Sequence, residues 1–285
     1  MNTPTMESPP TPQPQVPQTP QTPQTPRVPR ARAAEPPAET TDASWRPLYL
    51  IGGVAALLSV MLIVAAMAVF LVWPPPSGVS AWFALFQRNG FLGLLDLDLA
   101  MIATYVVMIP IYLALFIALR RVSQSLMAIA LALNLIAVAL IFAANPGVAM
   151  WTLSSNYAAA TTGAEQATYL AAGQALLANW SGTGFVVGYL LGGIAVLITS
   201  AVMLRSKIFS KLIAYTGLVM GVLMLVPASA GTLGLWISLV SLAPTALWLV
   251  LVGMKLMQLG NSLASGGESF VVAHPRGRRR MRAAT

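Results

Sequence analysis

The hydrophobic pattern of this chain changes on the scale of whole segments, not of alternate residues. From Leu48 to Gly260 apolar runs follow one another, broken by short polar turns. A helix needs roughly 20 residues to cross about 30 Å of hydrocarbon. Six runs approach or exceed that length, at 48–72, 94–119, 125–144, 183–204, 212–229 and 235–257. The fifth is the weakest, because Pro227 and Gly231 interrupt its far end. With no period-2 alternation, helices are expected and not the strands of a membrane barrel. The pattern predicts an all-α fold: a polytopic transmembrane bundle of six helices, with a helical loop at the outer interface and polar tails. The chain divides into a tail at 1–44, a membrane domain at 45–260 and a basic tail at 261–285.

The longest connection, about 145–182, carries helix signals of its own. Asn145-Pro146 reads as an N-cap followed by proline at the first helical position. Thr162 and Glu165 stand at capping-box spacing and predict a helix over about 163–179. Leu170, Gly173, Leu177 and Trp180 share one face of it, which suits an interfacial helix or one lying over the bundle mouth. A structural cap is the simpler reading, and a lid or partner surface the functional one. The Asn179-Trp180-Ser181 sequon abuts the membrane and is given no weight.

Composition supports the membrane reading. Apolar residues make up 57% of the 285 and charged residues 8%, against about 25% charged in an average globular chain. Cysteine is absent and His274 is the sole histidine, which excludes disulfides, thiolate chemistry and histidine metal clusters. The run TPQPQVPQTPQTPQTP at 11–26 has almost nothing to bury. It is expected to be a solvated polyproline-like tail, with an SH3-type ligand as the functional alternative. No charged segment followed by an apolar one opens the chain, so a secretory signal peptide is not expected.

The 16 Lys and Arg are placed asymmetrically. Arg27, Arg30, Arg32 and Arg46 precede the first run. Arg120 and Arg121 follow the second, and Arg205, Lys207 and Lys211 follow the fourth. Lys255, Arg276, Arg278, Arg279, Arg280 and Arg282 lie at or beyond the end of the sixth. In a six-helix arrangement all of these share one side, and Arg88 alone falls on the other. The positive-inside rule then makes both termini cytoplasmic in a plasma-membrane protein. Trp45 and Tyr49 are expected in the inner aromatic belt, and Trp73, Trp82, Trp180 and Trp236 in the outer one. The basic C-terminal tail suits anionic lipid; it offers no folded surface for nucleic acid.

The strings LLDLDL at 94–99, YAAATT at 157–162, LAAGQALLA at 170–178, YLLGGI at 189–194, MLRS at 203–206 and FSK at 209–211 carry a family resemblance. Over about 46–260 the chain resembles bacterial six-helix membrane proteins of domain-of-unknown-function family 4386. The resemblance implies a prokaryotic membrane protein and brings no activity, cofactor or site residues.

Asp96 and Asp98 are the carboxylates to weigh, since ionisable groups inside a membrane default to functional hypotheses. Counting 20 residues back from Leu119 puts Asp98 about 3 Å and Asp96 about 6 Å beyond the hydrocarbon core. Spaced i, i+2, they point to faces about 200° apart and cannot form an acid dyad. Helix-end anchoring with an Arg88 ion pair is one reading, and a cation or proton site at the outer mouth is the other. No H-E-x-x-H, G-x-S-x-G or P-loop occurs, so no enzyme is expected and no catalytic, cofactor or metal residue is named.

Packing signals are more numerous. Gly184, Gly188 and Gly192 form overlapping G-x-x-x-G units, and Gly217 and Gly221 another. The two helices that carry them are expected to pack as antiparallel neighbours within the bundle, more than between copies. Asn134 is expected to hydrogen-bond another helix. Pro110 and Pro244 interrupt their helices near the centre and free the carbonyls of Val106 and Val240. Two functions follow: a non-enzymatic membrane-embedded binding, sensory or partner protein, or a small-solute or cation/proton-coupled transporter using Asp96 or Asp98.

Overall fold

A computed structural model describes residues 43–272, with side chains from 44 to 263. Ten α-helices lie within it: α1 (Arg46–Val72), α2 (Val79–Arg88), α3 (Gly90–Leu94), α4 (Ala100–Leu119), α5 (Gln124–Ala144), α6 (Gly147–Ala159), α7 (Gly163–Trp180), α8 (Thr183–Arg205), α9 (Lys211–Leu223) and α10 (Gly231–Val272). No strand occurs among the described residues. A π-turn, Leu95–Leu99, joins α3 to α4. The Pro-rich run and the Arg cluster at 276–282 lie outside the described residues.

Among the described residues, five segments are long and apolar enough to cross a membrane: Arg46–Val72, Gly90–Leu119, Gln124–Ala159, Gly163–Arg205 and Gly231–Leu263. The fifth predicted run differs. Its helix is α9, which has 13 residues and at 1.5 Å per residue covers about 20 Å. Turns at 224–230 replace the rest, where Pro227 has no N–H to continue the ladder. The last helix starts earlier than the pattern suggested, at Gly231, whose φ of 70° favours glycine. It runs on past Gly260 to Val272; no proline stands there before Pro275.

The helices pack antiparallel through small residues. A Cβ on Gly188 would lie 3.1 Å from Ile141 Cγ1 and 3.2 Å from the Ala137 carbonyl, so α8 rests against α5. One on Gly221 would meet Leu197 Cγ at 2.7 Å and the Gly193 carbonyl at 3.2 Å, so α8 also rests against α9. The predicted glycine rows therefore divide: Gly184 and Gly188 face α5, whereas Gly192 and its neighbour Gly193 face Met224 at the end of α9. Gly217 approaches Ser200 and Trp248. A further tight contact, which the G-x-x-x-G spacing does not mark, holds α1. Gly52 lies against Ala114 and the Pro110 carbonyl, and Gly53 against Met257 and the Gly253 carbonyl. Where apolar lipid offers no hydrophobic drive, such close approach is the main attraction between helices.

Two apolar clusters result. The larger, inside the bundle, includes Tyr49, Leu115, Leu119, Met203, Trp248 and Leu256. The smaller, at the end of the bundle away from the start of α1, gathers Val79, Trp82, Phe83, Phe86, Leu97 and Met150. That second cluster belongs to a cap built from α2, α6 and α7. Ile51, Val54, Leu58 and Met61 on α1, with Leu212, Tyr215, Val219 and Val222 on α9, stay exposed. These faces suit hydrocarbon.

Candidate functional site

The cap supplies one wall of the site region. The Thr162 hydroxyl accepts from the Glu165 N–H, and the Glu165 carboxylate from the Thr162 N–H, both at 3.2 Å. This reciprocal box starts α7 where the spacing predicted. The face of Leu170, Gly173, Leu177 and Trp180 turns inward. A Cβ on Gly173 would meet Val79 Cγ1 at 2.6 Å and Phe83 Cζ at 3.0 Å. The partner of that face is α2, a helix the apolar runs did not predict because its ten residues fall between two spans. Val79, Trp82, Phe83 and Phe86 on it are buried, and their helical spacing was the available signal. Trp82, expected in an aromatic belt, is 2% exposed in the cap core, whereas Trp73 and Trp236 are 55% and 67% exposed.

The second helix of the cap, α6, begins differently from the expectation. It starts at Gly147 with Pro146 in the N-cap place, so Asn145 does not cap it. Both side-chain polar atoms of Asn145 are buried without a partner. The amide end of α6 is faced instead by Asp98, whose carboxylate lies toward the N–H groups of Gly147 and Val148 while its Oδ1 is left without a hydrogen-bond partner. A carboxylate there accepts orphan donors and meets the positive end of the helix dipole. Gly147 is required, since a Cβ would run into that carboxylate. Asp98 is thus a cap delivered from another helix.

Asp96 points elsewhere. It is 9% exposed and its Oδ1 has no hydrogen-bond partner. It lines a cavity of about 560 Å³ between α1, α4 and α10, together with Phe70, Tyr105, Trp180, Ser238 and Leu242. A second cavity of about 400 Å³ shares Ile63, Phe70, Thr104, Tyr105, Ser238 and Leu242 in its wall. It continues inward to Tyr112, Asn134, Tyr189, Ser241, Thr245 and Trp248. The two are lobes of one cleft. Arg88 lines neither lobe. Among the described residues it makes no ion pair with Asp96 or Asp98, so the expected Arg88 anchor is not formed. Both aspartates are buried, because the cap covers the helix end that the depth estimate left at the interface. They diverge as their spacing required, one to the cap and one to the cleft.

The cleft is apolar over most of its wall, with polar atoms set into it. Tyr112 Oη, Asn134 Oδ1, Ser238 Oγ, Trp248 Nε1, Trp180 Nε1 and Asp96 Oδ1 are all buried without a hydrogen-bond partner. Asn134 was expected to bond another helix; its carbonyl oxygen is unpartnered instead, on a residue that lines the inner lobe. Such orphans are few in native interiors and each calls for an explanation. A cavity with apolar walls and a few convergent polar groups is the usual form of a small-molecule site. Gathering these groups needs α4, α5, α7, α10 and the π-turn, which no local motif marks together.

The arrangement of long apolar helices and the ordered strings noted above meet in one comparison. Residues 47–260 match the family described as Domain of unknown function (DUF4386). The chain belongs to that family. No curated protein and no solved structure matches it. The DUF4386 domain covers the apolar helices of the bundle and the cap, so cleft and Asp98 contact both lie inside it. This DUF4386 protein is an integral, multi-pass membrane protein.

Proposed function

We propose that this protein is a non-enzymatic, membrane-embedded binding protein whose ligand occupies the two-lobed cleft. The observation that carries the reading is an apolar cavity whose lining residues include six polar side chains with buried, unpartnered atoms. A transporter would also have to open the cleft at the far end of the bundle. There Gly52, Gly53 and Gly253 press α1 against α4 and α10 with no room for a methyl group, which favours binding over passage. Location in a bacterial plasma membrane with both termini cytoplasmic is part of the proposal, and rests on the one-sided Lys and Arg. So is anionic lipid at the basic end, where Lys207 and Lys255 line a groove of about 400 Å³.

The test uses the full-length protein in zwitterionic lipid nanodiscs and one uncharged apolar probe, 1-phenyl-5,5-dimethylhexane. A ligand that binds the folded state raises its stability by mass action, about 2.7 kcal/mol at a hundred times Kd. Saturable thermal stabilisation at one probe per chain is expected. Leu242→Trp, which fills the wall shared by both lobes, should abolish it. Survival of the stabilisation in Leu242→Trp, or absence of saturable stabilisation in the parent both by this probe and by charged probes of the same shape, would refute the cleft as the binding site.

A further inference from the structure

Among the described residues the cleft wall holds one carboxylate and no basic side chain. Asp96 is nine-tenths buried, and no Lys, Arg or His lines either lobe. A buried carboxylate is costly unless a partner compensates it. The Oδ1 of each aspartate is without a hydrogen-bond partner, but the carboxylate of Asp98 also meets the α6 amides, and nothing comparable from the protein meets Asp96. Phe70, Tyr105 and Trp180 line the same outer lobe. Aromatic faces attract organic cations through the ring quadrupole. The rest of that wall, including Ala66, Met67, Leu235 and Leu239, is hydrocarbon. We propose that the occupant is an amphipathic organic cation, a lipophilic amine or quaternary ammonium, with its charged head against Asp96 and its apolar body along α1 and α10.

This assignment rests on the binding reading above and names the ligand class for the same cleft. Other chemistries fit the wall less well. A divalent ion such as calcium wants six or more oxygen ligands, and no group of three His, Cys, Asp or Glu gathers among the described residues. An anion would be repelled by Asp96, and a neutral apolar molecule would leave the carboxylate uncompensated. The π-turn suits the role. Within Leu95–Leu99 it sets Asp96 in the cleft wall while Asp98 is tied to α6. The carboxylate is therefore held in place before a ligand arrives, and π-turns of this kind are frequent at functional sites.

The test compares three probes of nearly one shape on the full-length protein in zwitterionic nanodiscs at neutral pH. These are 4-phenylbutyltrimethylammonium, its uncharged isostere 1-phenyl-5,5-dimethylhexane, and the anion 6-phenylhexanoate. Half-saturation of thermal stabilisation is expected at a concentration at least tenfold lower for the cation than for the isostere, and weakest for the anion. Asp96→Asn should erase the cation's advantage and leave the isostere unchanged, whereas Asp98→Asn should preserve the advantage. The order of the three probes in the parent protein needs no variant, so it decides the matter even if Asp96→Asn fails to accumulate. Equal affinity for cation and isostere, or a preference that persists in Asp96→Asn, overturns the charge assignment while the cleft reading stands. Failure of all three probes overturns both.

Discussion

Asp98 and Gly147 show how one residue pair ties the cap to the bundle. The Asp98 carboxylate faces the first amides of α6, and Gly147 leaves it the space. Losing an N-cap acceptor costs about 0.5–2 kcal/mol. Asp98→Ala should therefore lower stability by about that much, while Asp98→Asn, which keeps an acceptor, should lose less. Gly147→Ala should destabilise as well, by displacing the carboxylate. Thermal melting in detergent checks the order: parent first, then Asp98→Asn, then Asp98→Ala. A melting point for Asp98→Ala equal to the parent's would count against the cap. Asp96 lies two residues away and makes no such contact, so Asp96→Asn should leave cap stability nearly unchanged and act on the cleft.

At the scale of elements, close helix contact decides which glycines matter. Gly188→Leu would drive a side chain into Ile141 and the Ala137 carbonyl, so α8 and α5 should separate and the protein should accumulate poorly. Gly53→Leu should do the same to α1 and α10, where Met257 and the Gly253 carbonyl stand close. Gly163→Ala, with nothing within 4 Å, is the control and should be neutral or slightly stabilising, since alanine favours helix by up to about 1 kcal/mol. Membrane accumulation and melting in detergent separate these outcomes. Glu165→Ala removes one half of the capping box at the start of α7. It should loosen α7, seen as faster amide exchange over 163–168, with the bundle unaffected. The face of α7 could be read from its own residues, but its partner could not. Pairing α2 with α7 is a long-range packing event, and the pattern of either helix alone does not encode it.

For the whole molecule, the distribution of charge makes a direct prediction. If six crossings put every Lys and Arg except Arg88 on one side, as the sequence implies, both ends of the chain should be cytoplasmic and the 160–165 turn of the cap should face outward. Reporter fusions after Thr285 and within 160–165 should give opposite signals; signals from the same side would reject the arrangement. The short α9 fits it as well. It packs antiparallel to α8 and α10 through Gly221 and Gly217, so a leg of 13 residues together with the 224–230 turns returns the chain for its last crossing.

By itself the sequence determined the solvent in which this protein folds, its class and its main helices. Long apolar runs cannot remain in water and can satisfy their backbone in lipid only as helices or closed barrels. The start of α7 was equally legible, because a capping box is local chemistry among four neighbouring residues. The spacing of Asp96 and Asp98 also required that they diverge. Tertiary structure decided the rest. It turned Asp98 toward α6, left Arg88 without either aspartate, and divided the α8 glycines between α5 and α9. It also made a cleft from side chains far apart in sequence. Which face of an all-apolar helix meets which neighbour has no periodic signature when lipid and protein interior are alike in polarity, so only the packing itself reveals it.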